Sequence, residues 1–428
     1  MLDTKNTAGK PVVDPAGLVR LMDALSDIGG GPDGAMNRLT LSEEDRVARD
    51  WLVAFMQDEG MQVAVDPAGN IVGTLDWAGP DAPLVMTGSH IDSQPNGGRF
   101  DGAYGVVAAM AAVKAVKDAA AAAGIAPKAN LAIVDWTNEE GARFQPSLLG
   151  SGYFVGNHDL DFVRARRDGD GISVGAALDA IGYAGTAKHP LPDAYIELHI
   201  EGSDHLEKAG LKFATFTRYW GAVKYRLAFL GHQAHTGPTP MAERRDALLG
   251  AAYLIAELKA MADRSGVDLH TSVGRLEVAP NSPNVVPAEA VLFIELRSGS
   301  PETLVAAEAE LKRHIVDAAA RAGIGWEVRS VDYRAAGAFD RRLVSLAAEA
   351  AASHGLQTMQ LDTIGGHDGV SMAPHAPSVV IAVPSVGGVI HHPTEFTTED
   401  DRLLGAQILA DMLWRFCTED DLLETRGA

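Results

Sequence analysis

The chain has 428 residues, of which 46% are hydrophobic and 22% charged, and its net charge is -21 at neutral pH. This length predicts two or three domains, and the composition is typical of a folded globular protein rather than a disordered or membrane chain. The 57 acidic side chains outnumber 36 basic ones, so the sequence argues against nucleic acid and anionic membrane surfaces as partners, since both would repel it.

The cysteine content limits the kind of metal site that the chain can form. Cys417 is the single cysteine, against 14 histidines. One cysteine cannot form an internal disulfide or a thiolate cluster, so any metal site must use histidine and carboxylate. The N-terminal segment 1–17 has no apolar signal region, and the most apolar helical stretch, 106–126, contains Lys114, Lys117 and Asp118. We therefore expect a cytoplasmic protein.

Short apolar strands alternate with Ala-rich helices from the N-terminus to about residue 212. Strands are predicted at 83–87, 130–136 and 194–200, with a helix at 105–123. The pattern resumes later with a helix at 341–354, a strand at 378–384 and a closing helix at 398–415. This alternation predicts an α/β domain with a mostly parallel sheet that is covered on both faces.

A different order of elements occupies residues 213–330. Strands are predicted at 219–230, 272–278, 290–297 and 326–333, with one helix at 241–262 and another that begins at Pro301. This β-α-β-β-α-β order predicts a ferredoxin-like α+β insert. The α/β domain would then be discontinuous, formed by residues 1–212 and 331–428.

The first candidate site follows the strand at 83–87. His90 and Asp92 come directly after this strand, and Asp101 ends the Gly-rich loop that follows them. Functional groups in open α/β sheets gather beyond the carboxyl ends of the strands. His90 suits a neutral metal ligand, Asp101 a bridging carboxylate, and Asp92 a residue that orients the imidazole. The alternative is a polar surface turn with ordinary hydrogen-bonded aspartates.

Two adjacent glutamates, Glu139 and Glu140, follow the strand at 130–136. Adjacent residues in an extended chain point to opposite sides, so we expect them to do different work. One can bind metal while the other acts as the general base towards a water molecule. Paired glutamates elsewhere more often begin a solvated helix.

Two further strand ends carry the same residue types, because His199 and Glu201 end the strand at 194–200, and His391 and His392 follow the strand at 378–384. Imidazoles and carboxylates without thiolate suit a pair of Zn²⁺, Mn²⁺, Co²⁺ or Ni²⁺ ions bridged by a carboxylate and water. Such a pair, about 3.5 to 4 Å apart, acidifies the water and polarises a carbonyl, so we expect hydrolysis.

Five motifs extend over nearly the whole chain. They are His90-x-Asp92 with Phe100-Asp101-Gly102, Asn138-Glu139-Glu140-Gly141-Ala142-Arg143-Phe144, His199-Ile200-Glu201, Gly231-x-x-x-His235-x-Gly237-x-Thr239-Pro240-Met241 and His391-x-Pro393-x-Glu395. In order and spacing these motifs resemble the amidase/hydantoinase/carbamoylase branch of the zinc-exopeptidase-like hydrolases. That branch includes N-carbamoyl-L-amino-acid hydrolases, β-ureidopropionases and allantoate amidohydrolases.

The resemblance implies a zinc-exopeptidase-like catalytic domain and a homodimer that is formed through a lid and dimerisation domain at 213–330. It implies one divalent ion on His90, Asp101 and His199, and a second on Asp101, Glu140 and His391. Glu139 would be the general base. Residues at positions that contact the substrate in the family are His235, Asn284, Arg297, Gly366 and His367, with His235 reaching the active site of the other subunit.

The sequence departs from the family pattern near the expected substrate. The family's His-Ile-Glu-Gln-Gly is replaced by His199-Ile200-Glu201-Gly202-Ser203, and its Ser-Gly-Ala-Gly-His-Asp-Ala by the segment 363–369, Thr-Ile-Gly-Gly-His-Asp-Gly. Its Asp-x-Arg becomes Glu295-Leu296-Arg297. Gly202 removes a side chain expected at the substrate and leaves room for a larger or differently oriented amide.

The leading hypothesis is a two-metal amidohydrolase that cleaves the C–N bond of an N-carbamoyl amino acid or a related ureido acid. A free carboxylate on the substrate is expected, because the Arg297 guanidinium is shaped to bind one bidentately. An N-acyl-amino-acid deacylase or dipeptidase of the same superfamily is the alternative. A catalytically inactive protein that holds a ligand in the same cleft is a third possibility, disfavoured because Glu139 and all the expected ligands are present.

Overall fold

The computed structural model describes residues 9–420 and 422. Residues 1–8, which belong to the segment considered above for a signal sequence, lie outside the described residues. The chain divides into two compact units. The first comprises Met1–Thr217, Phe339–Leu361 and Gly366–Ala428, and the second comprises Arg218–Ala338 and Asp362–Gly365.

The helices and strands are numbered here in chain order. The α-helices are α1 (Pro15–Asp27), α2 (Glu43–Asp58), α3 (Ala103–Ala123), α4 (Leu149–Phe154), α5 (Leu160–Ala165), α6 (Val174–Ile181), α7 (His205–Ala209), α8 (Ala247–Ser265), α9 (Pro301–Ala322), α10 (Arg341–Ser353), α11 (Asp368–Met372) and α12 (Glu399–Thr418). The strands are β1 (Gln62–Val65), β2 (Ile71–Leu75), β3 (Leu84–Ser89), β4 (Asn130–Asp135), β5 (Ala194–Ile200), β6 (Phe213–Tyr219), β7 (Gly221–Leu230), β8 (Ala234–His235), β9 (His270–Ala279), β10 (Val285–Val286), β11 (Glu289–Ser298), β12 (Gly325–Arg334), β13 (Gly337–Ala338), β14 (Thr358–Thr363) and β15 (Ser378–Val383).

The first unit is built on a sheet with the order β1-β2-β4-β3-β5-β15-β6. Its central strands β4, β3, β5 and β15 are parallel, whereas β1, β2 and β6 pair antiparallel at the flanks. The expected α/β fold with a parallel sheet at its centre is therefore confirmed. The central strands are buried on both faces, which explains their continuous apolar runs.

Helices cover both faces of this sheet. Side chains alternate along each strand, so the two faces receive different residues. On one face α3 approaches so closely that a Cβ at Gly105 would lie 2.3 Å from the carbonyl oxygen of Leu198. On the other face Met372 of α11 packs in a buried cluster with Met86 and Tyr195.

The register of the parallel strands brings their carboxyl ends to the same edge of the sheet. Ser89, the last residue of β3, pairs with Asp135, the last residue of β4. His199 of β5 pairs with Ala382 near the end of β15. The loops that follow these four strands therefore begin side by side, and they carry the candidate residues.

The second unit has its own four-stranded antiparallel sheet, with the order β12-β7-β11-β9. Helices α8 and α9 pack on the sheet through a buried cluster that includes Leu227, Leu254, Leu292 and Leu311. A two-stranded ribbon of β8 and β10 completes this unit. The predicted insert, 213–330, overlaps most of the unit, which begins at Arg218 and continues to Ala338.

One predicted helix begins later than its sequence pattern suggests. Residues 241–262 were expected to be helical, but Met241–Glu243 forms a short 3-10 turn and α8 begins at Ala247. The Asp246 side chain accepts a hydrogen bond from the Leu249 N–H at 3.1 Å and so caps the helix there. No described helix is both long enough and apolar enough to cross a bilayer.

Candidate metal centre

The loops at the carboxyl edge of the first unit's sheet bring five of the candidate side chains together. They form two groups of three in which the potential ligand atoms all lie within 4.8 Å of one another. One group is His90, Asp101 and His199, and the other is Asp101, Glu140 and His391. Asp101 belongs to both groups, so its two carboxylate oxygens can serve two neighbouring positions.

In the first group, Asp101 Oδ1 lies 3.0 Å from His199 Nε2 and 3.9 Å from His90 Nε2. Both imidazoles are almost fully buried. The His199 Nδ1 atom lies 2.9 Å from the carbonyl oxygen of Ile200, which fixes the ring and leaves Nε2 facing Asp101.

In the second group, His391 Nε2 lies 2.9 Å from Asp101 Oδ2 and 3.2 Å from Glu140 Oε2. Gln94 Nε2 donates a hydrogen bond of 2.9 Å to the same Glu140 oxygen. The His391 backbone has a φ of 58°, in the left-handed region that a residue other than glycine rarely adopts. This backbone conformation accompanies the turn of the imidazole towards the two carboxylates.

Glu139 and Glu140 face different histidines, and only Glu140 belongs to one of the two groups. Glu139 Oε2 lies 3.4 Å from His90 Nε2, whereas Glu140 faces His391. Asn138, just before them, has a φ of 58°, and its side-chain Nδ2 donates to the Phe144 carbonyl at 2.9 Å. The expectation that the two glutamates lie in an extended chain is wrong, because residues 137–140 form a turn after β4, and this turn separates the two carboxylates.

Asp92 contacts both the first histidine and the first glutamate. Its backbone carbonyl lies 2.9 Å from His90 Nδ1, while its carboxylate Oδ1 is farther from that nitrogen, at 3.6 Å. The same Oδ1 accepts a hydrogen bond of 3.2 Å from the Glu139 N–H. Asp92 therefore holds the His90 ring through its main chain and the Glu139 backbone through its side chain.

Gly102 provides the room for the His90 ring. Its φ is 64°, and a Cβ at this position would lie 2.3 Å from the His90 Nε2 and Cε1 atoms. Only glycine combines that backbone conformation with so close an approach. The Phe100-Asp101-Gly102 motif thus places the shared carboxylate and the space for the imidazole in consecutive residues.

The pKa values within the two groups reflect an excess of negative charge. Burial would raise the pKa of Asp101, but hydrogen bonds with His199 and His391 outweigh it and hold that pKa well below its usual range. Burial would lower the pKa of His199, but its contact with Asp101 raises it to about 9. Burial likewise opposes protonation of His391, whereas Asp101 and Glu140 raise its pKa to about 11.

The pKa of the Glu139 carboxylate is shifted upwards, opposite to that of Asp101. Burial, followed by the charges of Asp368 and Glu140, raises its pKa well above the usual value. Asp368 is itself fully buried in α11. A carboxylate in such surroundings binds a proton readily and can later return it, which is the property required of a general acid-base residue.

The residues of the two groups fit divalent metal ions. The donors are imidazole nitrogens and carboxylate oxygens, they are gathered at one point, and Asp101 is common to both sets. The carboxylates of Asp101 and Glu140 favour positive charge beside them, which is why the pKa values of His199 and His391 are raised.

The structure adds residues that the sequence analysis did not assign. Glu197 is buried in β5, where Oε1 accepts from Ser89 Oγ at 2.7 Å and Oε2 accepts from the Gly369 N–H at 2.7 Å. It forms a third possible ligand group with His199 and His367. The sequence contained an indication of this role for Glu197. Residues two apart in a strand share a face, and Glu197 lies two residues before His199.

His367 lies beside the first group, and Gly366 directly precedes it. The His367 ring is 4.5 Å from the His199 ring in an edge-on arrangement, and His367 is mostly buried. Glu201, which also ends β5, instead accepts hydrogen bonds from the His205 and Leu206 N–H groups at the start of α7. The Glu201 carboxylate therefore stabilises the start of α7.

The three remaining substrate-binding candidates, His235, Asn284 and Arg297, lie in the second unit. His235 in β8 is exposed and pairs with Val285 of β10, while the Asn284 carbonyl accepts from the Thr236 N–H at 3.1 Å. His235 and Asn284 are therefore neighbours. Arg297 lies near the far end of β11, where Nη1 donates to the Ile364 carbonyl at 2.7 Å and Nη2 lies 2.9 Å from a Glu295 oxygen.

Comparison with known proteins identifies related sequences over most of the chain. The model of peptidase family M20/M25/M40 matches residues 86–415. A Mycolicibacterium smegmatis protein that carries only a general hydrolase name is 42% identical, over 94% of this chain and 93% of its own length. An N-carbamoyl-L-amino-acid amidohydrolase of Rhizobium meliloti is 34% identical, over 91% of this chain and 94% of its own.

A solved structure also matches nearly the whole chain. It is an amidase of the hydantoinase/carbamoylase family from Burkholderia vietnamiensis, with a TM-score of 0.92 and 34% identity. The match covers 97% of this chain and 99% of the other.

Proposed function

This chain belongs to peptidase family M20/M25/M40 and, within it, to the amidase/hydantoinase/carbamoylase family, and from that premise we propose that it hydrolyses the ureido C–N bond of an N-carbamoyl amino acid or a related ureido acid. It is a metal-dependent hydrolase that acts on C–N bonds. Relatives named as N-carbamoyl-L-amino-acid and allantoate amidohydrolases support the ureido class of substrate.

One observation carries this proposal. Two ligand groups share Asp101, and Glu139, which belongs to neither, lies beside them with its carboxylate 3.4 Å from His90. A shared carboxylate and an adjacent free one are the elements that two-metal hydrolysis requires. We assign His90, Asp101 and His199 to one ion, and Asp101, Glu140 and His391 to the other.

The donor set suits Zn²⁺, Mn²⁺, Co²⁺ or Ni²⁺. When bound, two such ions would lower the pKa of a water molecule and polarise the substrate carbonyl. Glu139 accepts the proton that this water loses and returns it to the leaving nitrogen. Asp92 keeps Glu139 in place through its hydrogen bond to the Glu139 N–H.

Five residues are assigned to the substrate. Arg297 binds a substrate carboxylate, because its guanidinium can donate two parallel hydrogen bonds to one. Gly366 and His367 line the substrate site beside His199, and His235 and Asn284 hydrogen-bond to the substrate, His235 at the oxyanion. If the substrate is an N-carbamoyl amino acid, the products are the amino acid, ammonia and carbon dioxide.

The second unit is assigned as a ferredoxin-like lid and dimerisation domain. Its antiparallel sheet of order β12-β7-β11-β9, with two helices packed on it, supports the ferredoxin-like assignment. His235 and Asn284 lie at the ribbon of β8 and β10, whose second strand ends at Val286, shortly before β11 begins at Glu289. Arg297 lies eight residues further along β11, about 27 Å from Glu289 in an extended strand. Both ends of one unit cannot contact the same small substrate. We therefore assign His235 and Asn284 to the active site of the other subunit in a homodimer, located in the cytoplasm.

The test is a substrate screen on metal-free protein reloaded with Mn²⁺ or Zn²⁺. The substrates are ureido acids, allantoate, N-acyl amino acids and dipeptides, and turnover is followed by ammonia release and by amino-acid analysis. We expect the highest kcat/KM for a ureido acid and loss of activity on chelation. A preference for N-acyl amino acids or dipeptides would make the protein a deacylase or dipeptidase, and full activity in metal-free protein would exclude the mechanism.

A further inference from the structure

The Glu395 carboxylate connects the two loops that carry Asp101 and His391. Glu395 lies between β15 and α12 and is 3% exposed. Its Oε1 accepts hydrogen bonds from the Phe100 N–H at 2.8 Å and the Asp101 N–H at 3.1 Å. Its Oε2 accepts from the His391 N–H at 3.2 Å. One side chain thus holds the main chain of both residues.

The fold keeps a space for this carboxylate. A Cβ at Gly98 would lie 2.1 Å from the Glu395 Cδ atom, so any side chain at position 98 would displace it. On the other side, the Glu395 N–H donates to the His392 carbonyl at 2.9 Å and closes a turn over residues 392–395. The position of Glu395 is therefore fixed from both sides.

The chemistry of this contact requires a carboxylate rather than an amide. Three N–H donors converge on one side chain, and an ionised carboxylate offers only acceptors. A glutamine would have to turn its NH₂ group towards at least one of those N–H groups, leaving a buried donor opposite a donor. Burial and the charge of Asp101 raise the pKa of Glu395 to about 7, and the hydrogen bonds from the three N–H groups oppose that rise.

The contact also acts where the backbone is strained. His391 has a φ of 58°, which is unfavourable for a residue with a Cβ, and such conformations persist when surrounding contacts determine them. The hydrogen bond from its N–H to Glu395 is one of those contacts. The same carboxylate sets the backbone of Asp101, whose side chain lies 2.9 Å from the His391 imidazole.

We propose that Glu395 is a positioning residue for the metal centre, which fixes Asp101 and His391 relative to each other through their backbone amides before metal binds. Its two oxygens are occupied by main-chain donors, so it acts through Asp101 and His391 and is not itself a ligand. The inference rests on the proposed metal-dependent function. It predicts that loss of Glu395 lowers the affinity most for the ion held by Asp101, Glu140 and His391.

The test compares Glu395→Gln with wild type and with the control Glu399→Gln, the same change at an exposed position four residues away. Mn²⁺ is titrated into metal-free protein by calorimetry, and the coupling between two bound Mn²⁺ ions is followed by electron paramagnetic resonance. We expect Glu395→Gln to weaken the second ion about 10- to 100-fold, as for other residues that orient ligands, and to remove the spin coupling at stoichiometric Mn²⁺. Excess Mn²⁺ should restore both the coupling and kcat.

A second variant keeps the inference testable if Glu395→Gln fails to fold. Gly98→Ala leaves Glu395 intact but pushes its carboxylate away, and we expect the same selective loss of the second ion. Wild-type affinity and coupling in a folded Glu395→Gln or Gly98→Ala protein would overturn the inference and leave the proposed function standing. Wild-type protein that binds no divalent ion would instead overturn the proposed function.

Discussion

Glu139 and Glu140 are adjacent in the chain, yet their carboxylates face different histidines. Glu139 lies 3.4 Å from His90, and Glu140 lies 3.2 Å from His391. Only Glu140 belongs to one of the two groups that share Asp101. Neighbouring residues of the same type therefore have different surroundings, and mutation can separate their roles.

Substitution of each glutamate by glutamine should affect different steps. Glu139→Gln removes the proton acceptor and should lower kcat by about 10² to 10⁴ while both ions stay bound. Glu140→Gln removes a ligand and should lower metal content, measured by elemental analysis after gel filtration. If both variants kept their metal and only Glu140→Gln had a lower kcat, the roles of the two glutamates would be the reverse of those assigned.

Metal binding should release protons. In metal-free protein the pKa values of His199 and His391 are raised to about 9 and about 11, so both imidazoles are protonated at neutral pH. A metal ligand must be neutral imidazole, so binding at pH 7 should release about two protons from these residues. Raising the pH from 6 towards 9 should strengthen Mn²⁺ binding, because proton competition declines.

Calorimetry of Mn²⁺ binding in two buffers of different ionisation enthalpy measures this proton release directly. His391→Ala provides the comparison, with about one proton fewer expected. An affinity independent of pH, with no buffer-dependent heat, would contradict the ligand assignment.

Arg297 should set the requirement for a substrate carboxylate. Arg297→Lys keeps the charge but loses the paired donors, so KM for a ureido acid should rise about tenfold, the equivalent of one charge-assisted hydrogen bond of about 1.5 kcal/mol. The neutral amide of the same compound should be a poor substrate for both proteins. Arg275→Lys, an exposed change on β9, is the matched control. Unchanged KM for the acid in Arg297→Lys would show that the guanidinium serves only its contacts with Glu295 and Ile364.

His235 should act in the other subunit of a dimer. His235→Ala should lower kcat by about 10² to 10³, as expected for the loss of one oxyanion donor. When His235→Ala and Glu139→Gln proteins exchange subunits, a heterodimer has one intact site and one site lacking both groups. Activity should return towards half of the wild-type value per heterodimer. Absence of recovery, with exchange shown by differently tagged subunits, would place His235 in its own subunit's site or outside catalysis.

Gly202 should control the size of the accepted substrate. A Cβ at this position would meet only Ile390 Cδ1, at an ordinary distance of 3.7 Å, so a side chain can be added without moving the backbone. Gly202→Gln should lower kcat/KM most for bulky ureido acids, and Gly202→Ala should have a smaller effect in the same direction. Equal losses for small and bulky substrates would argue against this role.

The sequence predicted the strands of the sheet centre because their apolar runs are continuous, and strand β5 was predicted with the bounds that it has in the structure. The flanking strands β1 and β2 were not predicted, because they are short and one is only half buried. The start of α8 was misplaced since apolar periodicity continues before the residue that caps the helix, Asp246.

The candidate site divides in the same way. Residues with distinctive chemistry that directly follow a strand, such as His90 and Glu140, could be predicted because the edge of a parallel sheet collects them. Glu197 could have been found from its position two residues before His199 on the same strand, whereas Glu395 could not be assigned, because its role depends on which N–H groups face its carboxylate. The donors to Glu395 come from residues as far as 295 positions away in the chain.

The sequence separation between Asp101 and Glu395 also bears on how the enzyme is made. Asp101 and Glu395 are 294 positions apart, and the segment between them includes the whole second unit, which has its own buried core. During synthesis, the segment with Asp101 leaves the ribosome long before β15 and the segment that contains His391 and Glu395. The second unit can fold in that interval, whereas the ion that we assign to Asp101, Glu140 and His391 would be bound only after the last strand of the sheet has paired with β5. Metal acquisition is therefore expected to be a late event in the biogenesis of this protein.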